Sequence, residues 1–541
     1  MLYLLFTAIF IIPALLGIGT ISEKIFGKNY SYLSIKILFG ILTLSVVWAF
    51  AAFFIPINLH TEVVTLSLGL IGFYYFRVYN DLSNFILENK NFLFPLLLTI
   101  VFAGSFYPFI LDHFGYYVTT IKWINEFGLV KGISNLDLLL GQMSVWHIFQ
   151  AGFSSFSDVF LRLNTVLLII YIIYVFEKKS WVHLCFIPIL FLFAQSPSPD
   201  LPSVIFSLII LNEIFSGNKD SYFLFALSAY TFAIKPTMIW VPLFALLYAL
   251  LVQKEKLKTL IPGILILALF VFKNIWTFGY PIFPVQIGDL GISWKPNHET
   301  LKISSEVAIQ KTFDMQYSVS EINNFGAFDY IKNWLTLKGI KSLIHISFLI
   351  SIIVFTLFAI SKKKKIYTFL WVSILIKSAL VLLFSAQYRF FIDVFFVLAF
   401  VLLFEKITRK NAILSFSVLG LAFSIFLSFP TLLKTLVPSF RLGHFMLGFD
   451  KKQIIIPSHF QLKEYKTHQI GNLKFNVVEG YSFSFDIPTP AISPVFLKEY
   501  DEAGIFPQKI SHDIKDGFIW RKMTDAEHLQ LKKILEERKN K

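Results

Sequence analysis

The chain has 541 residues, of which 56 % are hydrophobic and 15 % charged, and a formal net charge of +14. A water-soluble protein of this size carries roughly a quarter charged residues and could not bury so much apolar surface, so lipid must cover part of it. The positive excess then reads as loops that hold a membrane topology rather than as a nucleic-acid footprint, and a single cysteine, Cys185, excludes an intrachain disulfide and a cysteine metal site.

No basic segment precedes the first apolar run, so the first span is expected to stay in the mature chain. Runs long enough to be candidate spans lie at 2–18, 33–53, 57–76, 92–110, 159–176, 181–195 and 201–215. Others follow at 221–235, 237–252, 257–276, 341–360, 366–386, 389–407 and 411–429. The expected fold is therefore all-α and polytopic, with about 13–14 transmembrane helices. With the N-terminus outside, the short cytoplasmic loops hold Lys24, Lys28, Arg77, Lys90, Lys178, Lys179, Lys219, Lys254, Lys256, Lys258, Lys362 to Lys365, Lys406, Arg409 and Lys410. Those are seventeen cations, against four outside: Lys122, Lys131, Lys235 and Arg389. The asymmetry orients the chain.

The orientation requires that 138–154 not be counted as a span, and Gln142, Ser144, His147 and Gln150 do interrupt it. Residues 113–154 are expected to form helices lying on, or dipping into, the outer face. The division is then 1–91, N-terminal transmembrane helices; 92–429, a membrane domain with external loops 111–158 and 277–340; and 430–541, a small extracytoplasmic α+β domain. Its end, 523–541, has the spacing of an amphipathic helix.

Ionisable residues at membrane depth are Asp112, Asp200, Lys235, Arg389 and Asp393, and the first four fall at the outer ends of different spans. Asp112 suits a general base acting on an acceptor hydroxyl, or a helix cap. Asp200, in the turn QSPSPDLP, is equally well placed to cap the following helix. Lys235 and Arg389 need a counter-charge: a carboxylate, a ligand phosphate, or headgroups reached by snorkelling. His113 and His147 have no metal-ligand spacing with any neighbour, so no metal site is assigned.

A series of short motifs carries a resemblance. In order they are IKWINEFGLVKGISNL at 121–136, SPSPDLP at 196–202, AIKPT at 233–237, and Lys273-Asn-Ile-Trp-Thr-Phe-Gly-Tyr-Pro-Ile-Phe-Pro284. Then come ISWKP at 292–296, Tyr388-Arg389-Phe390, FDIPTPAISP at 485–494 and DIKDGFIW at 513–520. Over about 92–520 the chain resembles a bacterial family of multispanning membrane proteins similar to the GT-C class of glycosyltransferases. The resemblance implies a GT-C-like membrane fold in the bacterial inner (cytoplasmic) membrane. It also implies transfer of a sugar from a polyprenyl-phosphate donor to an unidentified acceptor at the periplasmic face, in cell-surface glycan synthesis. Asp112 matches the family's catalytic acid; Lys235 and Arg389 would face the donor phosphate. Tyr116, Tyr117, Lys122, Trp123, Asn135, Asp137 and Asp200 would contact substrate. No cofactor is fixed, and a divalent metal is left open. The chain departs from the pattern at Tyr116-Tyr117, where Tyr-His is common, and at Asn135-Leu136-Asp137, where Asn-Leu-His and then an arginine are common. The competing readings are a transporter or flippase for lipid-linked glycans, a polymerase or ligase of surface polysaccharide, and an inactive relative.

Overall fold

The computed structural model describes residues 1–436, 447–462 and 464–539; positions 437–446, 463, 540 and 541 of the expected C-terminal domain lie outside them. The protein is mostly helical, with two small β-sheets confined to its C-terminal part. Seven helices are long and apolar enough to cross a membrane. Two are α1 (Leu2–Ile25) and α2 (Leu33–Ala51); after α3 (Leu59–Tyr75) comes a third, α4 (Val78–Gly104). The chain is a multi-pass membrane protein.

Seven of the fourteen expected spans coincide with these long helices, and the other seven are shorter or irregular. After α5 (Val118–Phe127) and α6 (Val145–Ala151) come α7 (Leu163–Lys178), α8 (Val182–Leu190), α9 (Asp200–Phe215) and α10 (Ser221–Ile234). Then come α11 (Trp240–Leu247) and α12 (Ile261–Phe278), the latter extended backwards to Leu257 as a fourth full-length span. Helix α8, with its short 3₁₀ continuation to Phe193, has only 12 residues' worth of rise, about 18 Å against a hydrocarbon core of about 30 Å. The run at 237–252 is three pieces: a 3₁₀ turn, α11 and a π-helical turn. Hydropathy alone cannot see these breaks, because each piece is apolar. Helix α4 starts in the polar stretch Val78-Tyr-Asn-Asp, so the boundary expected at 91 falls inside a 27-residue helix.

The stretch 277–340 contains α13 (His298–Thr312), α14 (Val319–Asn323) and α15 (Ala327–Leu335). The remaining full-length spans are α16 (Ile340–Lys362), α17 (Lys365–Phe384) and α19 (Arg409–Ser428), with the shorter α18 (Ile392–Leu403) between the last two. A short α20 (Pro430–Leu436) follows. In the C-terminal part β1 (Tyr465–Ile470) pairs antiparallel with β2 (Leu473–Val478). Helix α21 (Pro494–Ala503) precedes the antiparallel pair β3 (Ile505–Lys509) and β4 (Phe518–Lys522), and α22 (Asp525–Lys539) buries Leu531 and Ile534.

Helix α1 packs between α2 and α3 by backbone contact. A Cβ at Gly17 would stand 1.8 Å from the Gly69 carbonyl oxygen, and one at Gly40 would stand 2.3 Å from that of Leu15. Small residues serve this purpose where lipid removes the hydrophobic drive for helix association.

Polar ties sort the helix ends into two faces. On one, the Glu177 carboxylate accepts the backbone N–H groups of Leu33 and Ser34, Lys178 pairs with Glu213, and Lys28 pairs with Asp220. On the other, the Ile57 N–H donates to the Ile124 carbonyl and the Leu129 N–H to that of Ala52. Also there, buried Glu62 accepts the N–H groups of Ser155, Phe156 and Ser157 at 2.7–2.9 Å. Stretch 113–154 lies on this second face and does not cross. It is not laid on lipid, however: every residue of α6 is buried within protein.

Candidate functional site

The residues after α4 turn at Ser105–Ile110 and enter a helix whose first part, His113–Tyr117, is a π-helical turn running directly into α5. Such turns displace side chains from the regular helical ladder and are common at functional sites. Asp112 precedes it and makes no capping bond. Its carboxylate instead lies 3.1 Å from the Arg389 guanidinium, 277 residues on. Arg389 comes from a 3₁₀ turn, Tyr388–Phe390, that interrupts the run expected to be helical from 389.

Beside this pair is a second. Asp200, in the first turn of α9, is bridged by Lys235, the residue that ends α10. The Ser198 hydroxyl donates to the other Asp200 oxygen at 3.0 Å. Asp200 is in the first turn rather than the cap position, where a carboxylate still complements the helix dipole. The pairs are neighbours: Arg389 lies in the field of Asp200 as well as Asp112, and both Lys235 and Arg389 approach the Phe390 ring, at 5.6 and 5.1 Å. Asp112 and Arg389 are 34 % and 40 % exposed and Asp200 and Lys235 are 27 % and 18 %, so all four are partly open to the surroundings of the protein.

Tyr116 and Tyr117 form the wall behind the acids, buried, with rings 4.6 Å apart and His147 4.9 Å from Tyr117. Burial, with Asp112 nearby, pushes both phenols well above their usual range, so they remain neutral hydrogen-bond partners. His113 Nδ1 is 3.1 Å from the Ser196 hydroxyl, which ties this helix to the Asp200 turn. Among the described residues no three His, Cys, Asp or Glu side chains gather as a metal-holding group.

The other residues expected to contact substrate are brought elsewhere. The Lys122 ammonium donates to the carbonyls of Asp486 and Ile487, and Trp123 is enclosed against Phe127 and Phe518. The Asn135 amide donates to the carbonyls of Trp294 and Phe518, and its own carbonyl accepts from the Tyr500 hydroxyl. Asp137 accepts from the Ser493 hydroxyl at 2.7 Å and from the Leu139 N–H. These four hold the C-terminal part onto the external loop; they do not line the charged cluster. Local sequence could not separate the two roles, because their partners lie far along the chain.

Sequence reasoning also missed Lys311, at the end of α13, which lies in the field of Arg389 and Asp112. It missed Lys377, a lone charge in an apolar run, and Arg162, fully buried and donating to the carbonyls of Phe160 and Ser458.

Burial raises the Asp137 carboxyl to about 7, and burial followed by the charge of Asp137 raises Glu499 on α21 to about 7. The two are coupled and titrate as a pair. Folded-state values above the unfolded ones mean that their contribution to docking is complete below about pH 4 and is lost as pH rises through about 7. Protection of residues 485–520 against deuterium exchange should therefore weaken several-fold from pH 5.5 to pH 8, and Asp137→Asn should flatten the dependence. Protection that strengthens with pH would overturn the burial account.

The chain matches, over residues 1–396, the family described as a domain of unknown function, DUF8201, and it belongs to that family. No curated protein and no solved structure matches the chain.

Proposed function

We propose that the protein is a GT-C-type membrane glycosyltransferase that uses a polyprenyl-phosphate-linked sugar, with its site at the periplasmic face of a bacterial inner membrane. One observation carries the reading. Two carboxylates and two cations from four separate elements meet in a partly exposed cluster at one face of the helices. The proposed topology lets the shorter helices cross together with the seven long ones.

Each charge has a task in such a transfer. The bond from the anomeric carbon to the phosphate oxygen breaks, and the polyprenyl phosphate leaves with the electron pair. A bond forms from the acceptor oxygen to the same carbon, and the acceptor proton passes to Asp112. Arg389 and Lys235 meet the charge that grows on the leaving phosphate. In the free protein each cation is held by a carboxylate. An incoming phosphate competes with Asp112 for Arg389, and so releases the base when the donor is present.

The test is release of polyprenyl phosphate by purified protein given a short-chain polyprenyl-phosphate sugar and a panel of acceptors. Asp112→Asn is expected to lower release by about 10³-fold, the general-base contribution; undiminished release would remove Asp112 from the mechanism. Orientation has its own test. With Cys185 replaced by serine, a cysteine at exposed Leu111 should label from the periplasm in intact cells. Labelling only after permeabilisation would invert the topology.

A further inference from the structure

Lys377 sits in the apolar run of α17 with 0 % of its side chain exposed, and Asp393, on α18, is 7 % exposed. Their ion pair is 2.6 Å long. The same ammonium donates to the Phe390 carbonyl, one residue after Arg389, and the second Asp393 oxygen accepts from the Trp240 indole at 2.7 Å. Trp240 opens α11, five residues beyond Lys235. One buried pair therefore grips both segments that carry the cations of the outer cluster.

Stability does not explain the pair. Enclosing two charges costs more than their attraction returns unless geometry and extra hydrogen bonds are good, and an apolar pair of equal volume is often as stable or more so. What an apolar pair cannot do is hold a carbonyl and an indole at fixed points. The 388–390 turn needs such a hold: it is a single 3₁₀ turn, tied on the outer side through Trp334 Nε1 to the Ala386 carbonyl.

We propose that Lys377 and Asp393 are positioning residues that fix the separation of Lys235 and Arg389, and so tune the outer cluster to one phosphate group bridging both cations. The proposal rests on the reading of that cluster as a phosphate site. Lys377 touches no substrate; it acts through the Phe390 carbonyl. Asp393 acts through Lys377 and Trp240. The main chain of Phe390, whose ring both cations approach, is held by the same bond.

The test uses the full-length protein in detergent and the double variant Lys377→Met/Asp393→Asn, which removes both charges but leaves an acceptor for Trp240. Three quantities are read: thermal midpoint, deuterium exchange of the 388–391 amides, and affinity for dodecyl phosphate. The expected result is a midpoint within a few degrees of the parent, faster exchange confined to the turn, and affinity weakened about tenfold, as when outer-shell partners of a site are lost. The single variant Lys377→Met, which strands a buried carboxylate, should lose stability as well. Unchanged exchange at 388–391 in the double variant, or unchanged affinity, overturns the proposal. If the turn loosens while the parent itself fails to bind dodecyl phosphate, the phosphate reading falls and the positioning role stands.

Discussion

Arg389→Ala is expected to lower turnover by about 10²–10³-fold, the loss typical when one preorganised donor to a developing oxyanion is removed. Arg389 is the hinge of the outer cluster: it pairs with Asp112 at 3.1 Å and feels Asp200 and both tyrosines. Arg389→Lys should recover only part of the rate. An ammonium keeps the charge but loses the planar fork that grips a phosphate through two bonds. The split between kcat and KM is informative. Loss in both assigns Arg389 to the donor in ground and transition states alike; loss in kcat alone assigns it to the leaving phosphate. A change below about threefold in kcat/KM, under about 0.7 kcal/mol, would detach Arg389 from the chemistry.

Gly17→Val is expected to cost about 3 kcal/mol or more, the upper end for over-packing, because the clash is with main chain. The first added atom would stand 1.8 Å from the Gly69 carbonyl oxygen and 2.6 Å from the Phe73 nitrogen. No rotamer relieves that, so α1 and α3 must separate, and the α1–α2 crossing at Gly40 and Leu15 shifts with them. A loss of this size is a large fraction of a typical folding free energy. The measurements are the thermal midpoint in detergent and the yield of monodisperse protein by size-exclusion chromatography. Gly326→Ala, where the nearest atom is a side-chain oxygen at 3.6 Å, should be close to neutral. A Gly17→Val protein as stable as the parent would mean that the α1–α3 contact is not as tight as described.

The membrane character and the four outer charges were legible because each rests on local chemistry. A charge at the end of an apolar run is conspicuous at Asp112, Asp200, Lys235 and Arg389 wherever the chain goes next. Carboxylate partners for the two cations were expected, but which carboxylate meets which cation was not legible: Asp112 and Arg389 are 277 residues apart, and nothing in either motif names the other. Glu62 and Arg162 escaped notice for a related reason. Their partners are backbone amides and carbonyls of distant loops, which every sequence contains. Lys377 escaped because a lone lysine in a span looks like snorkelling until its acceptors are in place. The breaks at 188–193 and 236–252 escaped because hydropathy averages over helix geometry. Among residues assigned to substrate, Asn135 and Asp137 were named through the resemblance alone, and their polarity suits them to dock the C-terminal part.

That docking has a consequence for how the protein is made. Lys122 and the carbonyl it engages are 364 residues apart. At a synthesis rate of roughly 5–20 residues per second, the loop that carries Asp112 waits tens of seconds after its own synthesis before these partners are made. During that interval Asn135 lacks its Phe518 and Tyr500 partners and Asp137 lacks Ser493. Docking of this surface thus waits until nearly the whole chain has been made, and a ribosome stalled before residue 485 leaves Lys122 without the carbonyls it engages.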